Sequence, residues 1–125
     1  MRLLALPLLL LLACAGDDER NEALLLLDRY GHLEQPTLAA RKAALSDFRE
    51  LALRTERVRD VQTRCGAMHA ALVEAEEATE AARRATNLAE GEPALTRSAA
   101  ALEEVERLRP ACDQGLASLR AHHER

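Results

Sequence analysis

The fold of this chain is decided by residues 58–89, which read VRDVQTRCGAMHAALVEAEEATEAARRATNLA. Apolar and small side chains recur in this stretch at alternating steps of three and four residues, the spacing of a heptad seam on a helix. Because such a seam packs helices side by side at a small angle, the stretch predicts a long helix with a neighbour along its length. The seam positions are Val58, Val61, Cys65, Met68, Leu72, Ala75, Thr79, Ala82, Thr86 and Ala89.

A second heptad seam follows, so the neighbour can come from the same chain. Between the two seams, Gly91 and Pro93 indicate a break, because Gly favours the end of a helix and Pro the first turn of the next. The chain should therefore fold back near residues 89–93 into an antiparallel hairpin. Pro110 should kink the second helix without ending it, since the seam continues beyond it. The second seam comprises Leu95, Ser98, Leu102, Val105, Arg109, Cys112, Leu116, Leu119 and His123.

The rest of the sequence also indicates helices. Aromatic residues make up only 2% of the chain, and charged residues are interleaved with alanine and leucine in a way that suits slim helices. Two arrangements remain open. Residues 37–90 could form one continuous helix of a rod, or Gly66 could divide that helix so that four helices form a compact bundle. We therefore predict an all-α fold, either an antiparallel helical hairpin or coiled coil, or a small three- to four-helix bundle.

The N-terminal residues have the three parts of an export signal. Arg2 supplies a positive start, an apolar run follows from Leu3 to Ala13, and small residues end the segment at Gly16. The run is shorter than the roughly 20 apolar residues that a transmembrane helix requires. We therefore predict that this segment directs export and is then removed.

Within this signal, Leu11-Leu12-Ala13-Cys14 resembles the lipobox of bacterial lipoproteins. The resemblance implies cleavage before Cys14, attachment of diacylglycerol to its sulfur and acylation of its new amino group. It also implies a lipid anchor in the bacterial cell envelope. Ala15 stands where an Asp would favour retention in the inner membrane, so the resemblance implies the outer membrane, with the protein facing the periplasm.

The lipobox interpretation divides the chain into a signal peptide at residues 1–13, a short linker at 14–20 and a single helical domain at 21–125. An alternative cut remains open, because Ala13-Cys14-Ala15 also has the A-x-A pattern of ordinary secretory cleavage. A cut after Ala15 would release a soluble secreted protein.

Either route removes Cys14 from the count of free thiols, which leaves Cys65 and Cys112. Because exported compartments favour disulfides, we expect these two cysteines to be bridged. A hairpin turn centred on Gly91 would leave them about five residues out of level, or roughly 7.5 Å along the helices. The bridge therefore requires the first helix to end earlier, near Asn87.

Composition argues against several classes of function. Removing residues 1–13 takes away one charge, Arg2, and leaves 16 Lys and Arg against 21 Asp and Glu, a formal charge of −5. An acidic chain does not suit a nucleic-acid partner, or attachment to anionic membrane by charge alone.

No motif for a metal site or for catalysis is complete. Cys65 and His69 share a helix face, but no close Cys-x-x-Cys pair completes a metal site, so we expect neither a metal nor a cofactor. No G-x-S-x-G or phosphate-binding glycine loop is present, and we do not expect an enzyme.

The leading hypothesis is a non-enzymatic, lipid-anchored envelope protein that acts as a helical adaptor or scaffold through helix–helix contacts. Its partners would be the membrane, through the N-terminal lipid, and another protein or a second copy of itself. The alternative is a small helical binding module, such as a chaperone, a pilotin-like carrier or an inhibitor, with a groove between its helices. Self-association discriminates between these hypotheses. A rod whose apolar residues are exposed should associate with a partner, whereas a bundle that buries them should be monomeric.

Overall fold

The computed structural model describes residues 6–123, with side chains from Asp18 onward. Over this range the chain forms four helices and no strand, which confirms the predicted all-α fold. The helices are α1 (Leu6–Gly31), α2 (Leu38–Arg49), α3 (Glu56–Arg84) and α4 (Leu88–His123). The stretch 14–20, predicted as a linker, lies inside α1.

The helices α3 and α4 form the predicted antiparallel hairpin. Cys65 of α3 is bonded to Cys112 of α4, and nearer the turn Thr79 Oγ1 lies 2.9 Å from Ser98 Oγ. Helix α4 continues through Pro110, as the seam predicted. A helix of 36 residues is about 54 Å long, so the hairpin sets the length of the described part of the molecule.

The hairpin turn lies earlier than predicted. Helix α3 ends at Arg84 and α4 begins at Leu88, so the expected break at Gly91 and Pro93 is wrong and both residues lie inside α4. The reason is a local cap: the side chain of Asn87 accepts a hydrogen bond of 3.0 Å from the backbone N–H of Glu90. An Asn in this position satisfies one of the free N–H groups at a helix start.

A second break separates α2 from α3 at residues 50–55, which contain neither Gly nor Pro. Two distant side chains hold this segment. The Gln62 amide donates to the carbonyl oxygens of Phe48 and Leu51, at 2.9 and 3.1 Å. The Glu22 carboxylate accepts from the backbone N–H groups of Arg54 and Thr55, at 2.6 and 2.8 Å. The continuous helix over 37–90 is therefore wrong. The alternative of four helices in a small bundle is confirmed, but the helix is divided at residues 50–55 and not at Gly66.

One half of the hairpin is covered by α1 and α2, and we call this part the bundle end. Its buried side chains surround the disulfide, and besides the cysteines the largest that are fully buried are Phe48, Leu26, Leu119, Val58 and Val105. Glycine allows close packing here, because a Cβ placed on Gly66 would lie 3.2 Å from Arg49 Cγ. The bundle end thus has the core of a small helical bundle.

The other half of the hairpin we call the arm, residues 78–102. The ion pairs from α2 to α3 reach only as far as Glu76 and Glu77, from Arg41 and Lys42. Beyond them, the buried side chains of the arm are the small ones that α3 and α4 present to each other, namely Ala78, Ala94, Ser98 and Ala101. The arm is therefore a thin two-helix coiled coil that extends from the bundle end.

In the arm, the residues of α4 that are buried against α3 are not those that the sequence predicts. Val58, Val61, Cys65 and Met68 are buried as predicted, but on α4 the leucines at 95 and 102 face outward, so their assignment to the seam is wrong. The buried positions belong instead to Ala94 and Ala101, one residue earlier in each case. Helices that approach closely leave room for alanine but not for leucine, which explains the shift.

Candidate interaction surfaces

The disulfide lies between the bundle-end helices. The structure joins Cys65 to Cys112, whose Cα atoms are 4.7 Å apart and whose side chains are fully buried. The bridge requires the first helix of the hairpin to end near Asn87, and α3 ends at Arg84. With its sulfur in this bond, Cys65 is not available to join His69 as a metal ligand. Among the described side chains, no group of three or more His, Cys, Asp or Glu residues is placed to hold a metal ion.

Tyr30 connects α1 to the disulfide and to α3. Its hydroxyl lies 3.9 Å from Cys112 Sγ and 3.2 Å from His69 Nε2. Its ring meets Phe48 and His69 edge-on, with centroid distances of 6.1 and 5.2 Å. Burial raises the pKa of Tyr30, so the hydroxyl stays protonated and can donate to the imidazole.

A cleft of about 450 Å³ opens where the loop after α1 meets α2 and α3. Its apolar side chains are Leu33, Leu45, Leu72 and Val73, and its polar side chains are Glu34, Gln35, Arg41, His69 and Glu76. A volume of this size suits a small amphipathic group. The sequence contained no signal for it, because the lining comes from two helices and a loop.

The polar side of the cleft is arranged around Arg41. This guanidinium donates to the backbone carbonyl of Gln35 at 2.9 Å and forms an ion pair with Glu76, while its Nε is buried and has no partner among the described atoms. Burial lowers the pKa of His69, and the charge of Arg109 lowers it further against the opposing effect of Glu34. The imidazole is therefore neutral at pH 7, and the cleft contains one fixed cation beside two carboxylates.

The second surface is on the arm. Leu88, Leu95 and Leu102 are 79%, 58% and 50% exposed and follow one another at intervals of seven residues along α4. Seven residues make almost two helical turns, so the three side chains form one line about 21 Å long. We call them the leucine stripe. An isolated exposed leucine needs no explanation, but an aligned set is a candidate contact surface.

Two small residues lie beside the leucine stripe on α4. Gly91 and Ala99 each fall between two leucines on the same side of α4. Beyond the stripe towards the bundle end, Arg109 lies on the same face, exposed and 3.4 Å from Glu106.

At the far end of the bundle, the first described side chains of α1 meet the end of α4. Glu19 Oε1 lies 3.2 Å from His123 Nε2 and 3.9 Å from Arg57 Nη1. Cys14 precedes this contact by five residues, and its side chain lies outside the part of the chain whose side chains are described. None of the helices, over their described residues, is long and apolar enough to cross a membrane.

Comparisons with known proteins do not identify the chain. No family model, no curated protein and no solved structure matches it.

Proposed function

We propose that the protein is a non-enzymatic, lipid-anchored adaptor or scaffold of a bacterial envelope, which contacts other proteins through the arm. The observation that carries the proposal is the leucine stripe, because three aligned and exposed leucines lie on a part of the hairpin that neither α1 nor α2 covers. Their exposure costs free energy in water, roughly 1.5–3 kcal/mol for each leucine that a partner would fully bury.

The anchor in this proposal rests on the lipobox-like sequence that ends at Cys14. The contact between Glu19 and His123 supports a simple layout, because it puts the anchored end of α1 beside the end of α4. The turn at residues 85–87 is then about 50 Å away, at the opposite end of the hairpin. Lipid attachment and protein contact would thus occupy opposite ends of one molecule.

The anchor is tested with the full chain expressed in a Gram-negative host. We expect the wild-type protein to fractionate with outer membranes and to incorporate labelled palmitate, and Cys14→Ser to lose the label. The double variant Cys65→Ser/Cys112→Ser is the matched control, since it removes two cysteines but leaves the lipobox intact. Unlabelled wild-type protein in the soluble fraction would overturn the anchor.

The cleft favours a second candidate function, a small helical binding module. Its 450 Å³ and apolar floor suit an amphipathic ligand. A fluorescent N-phenyl-naphthylamine probe should then bind the wild type, and Leu72→Trp, which fills the cleft, should abolish binding. Leu95→Glu is the control, because it changes the stripe and leaves the cleft intact. Equal probe binding by all three proteins, or by none, would remove this candidate.

A further inference from the structure

We infer that the cleft binds a small apolar molecule that carries one cationic amine, with the amine beside Glu34 and the apolar part against the floor of the cleft. The inference rests on the second candidate function, the small helical binding module, since it names the class of ligand. Three observations carry it: the apolar floor, the hydrogen bonds that hold the loop after α1, and the balance of charge among the side chains that line the cleft.

The floor of the cleft can hold an apolar group. It is formed by Leu33 and Leu45, which are buried, and by Leu72 and Val73, which are partly buried against the same core. The two partly buried side chains still present apolar surface to water. Covering this surface with the apolar part of a ligand is favourable, because it removes apolar area from water.

The loop after α1 is already ordered around the cleft. The Gln35 amide donates to the carbonyl oxygen of His32 at 2.7 Å, and Arg41 donates to the carbonyl oxygen of Gln35 at 2.9 Å. Leu33 is buried in the floor, and Glu34, the next residue, is exposed and lines the cleft. Because these contacts hold the loop without a ligand, binding does not have to order it.

The charges that line the cleft do not balance. One arginine and two glutamates give a net charge of −1. Arg41 forms an ion pair with Glu76, and His69 is neutral at pH 7 because burial lowers its pKa. Glu34 has no ion-pair partner within the described part of the chain. The carboxylate of Glu34 is therefore the charge that a ligand can balance.

A negatively charged ligand would be opposed by the same groups. To pair with Arg41 it would have to displace Glu76, and it would bring a second negative charge close to Glu34. The Nε of Arg41 is buried, so this atom offers no donor at the surface of the cleft. A cationic amine meets neither obstacle, because it can pair with Glu34 while Arg41 stays paired with Glu76.

The test measures how octylammonium and octanoate displace N-phenyl-naphthylamine, an uncharged probe, from the full-length protein at pH 7. The two ions have apolar chains of similar length and differ in the sign of their charge. We expect octylammonium to displace half of the probe at about one tenth of the octanoate concentration, because the attraction of one ion and the repulsion of the other act together. In Glu34→Gln this ratio should fall to about two.

Glu74→Gln is the matched control. It removes the same charge from the protein, but Glu74 is exposed on α3 outside the cleft, so the ratio should stay near the wild-type value. A ratio that is the same in Glu34→Gln as in the wild type would overturn the inference, and so would stronger displacement by octanoate. Failure of the wild type to bind the probe at all would instead contradict the binding module itself.

Discussion

At Gly115, α4 approaches α3 so closely that a side chain has no room. A Cβ at this position would lie 2.9 Å from Val61 Cγ2. We expect Gly115→Ala to lower the free energy of unfolding by about 1–2 kcal/mol, because the strain of overpacking exceeds the gain in helix propensity. Urea unfolding followed by circular dichroism measures the change.

The matched control for that substitution is Gly91→Ala in the same helix. A Cβ there would meet Ala85 Cβ at 3.6 Å, an ordinary contact. This variant should be unchanged or more stable by up to about 1 kcal/mol, since alanine is the better helix former. If both variants gained stability equally, the close approach of α3 and α4 at Gly115 would be wrong.

His69 makes the stability of the protein depend on pH. Burial holds its folded pKa below the ordinary value near 6.5, so between the two pKa values the unfolded chain binds more protons than the folded one. Stability should therefore fall as the pH drops below about 6.5 and stop falling, for this group, below the folded pKa. We expect the melting temperature of the wild type to decrease more between pH 7.5 and 5.5 than that of His69→Gln. Parallel pH curves for the two proteins would show that His69 is not buried as described.

At the scale of the elements, the break between α2 and α3 depends on Gln62. Its amide donates to the carbonyl oxygens of Phe48, Leu51 and, at 3.3 Å, Arg49, which have no partner further along α2. We expect Gln62→Ala to lower the free energy of unfolding by about 1 kcal/mol, as the loss of a helix cap does. Gln114→Ala is the control, because Gln114 is exposed on α4. The same loss in both variants would contradict the capping role.

The elements also show how far the sequence could predict the fold. The seam from Val58 to Met68 predicts α3 and a helix packed along it, because heptad spacing reports directly on helix packing. The break at residues 50–55 could not be predicted, since it is held by Glu22 and Gln62, which meet it only after folding. The turn at 85–87 has a signal in Asn87, a residue type that caps helix starts, but Gly91 and Pro93 predict a break four to six residues later.

The exposure of the leucine stripe could not be predicted, because large apolar side chains at heptad spacing indicate a buried seam. Leu95 and Leu102 have the heptad spacing of a buried seam, and sequence analysis places the largest apolar residues inside. In the structure α3 and α4 lie so close together that Ala94 and Ala101 are buried between them, and the neighbouring Leu95 and Leu102 are exposed. The cleft had no sequence signal, since Glu34, Arg41 and His69 belong to three separate parts of the chain.

At the scale of the whole molecule, the disulfide fixes the bundle end. It joins residues 47 apart in sequence, and a closed loop of this length contributes about 4 kcal/mol by limiting the unfolded chain. We expect full reduction to lower the midpoint of urea unfolding accordingly while the protein remains helical in the absence of urea. Alkylation and mass analysis verify the reduction. An unchanged midpoint in fully reduced protein would show that the bridge does not stabilise this fold.

In the proposed function, a lipid anchors one end of this molecule and the other end contacts protein. The intact mass of the protein extracted from membranes tests the lipid anchor. We predict a chain that begins at Cys14 and carries the added mass of diacylglycerol and an acyl chain. A soluble chain that begins at Gly16 without added mass would contradict the claim and would make the protein a secreted one.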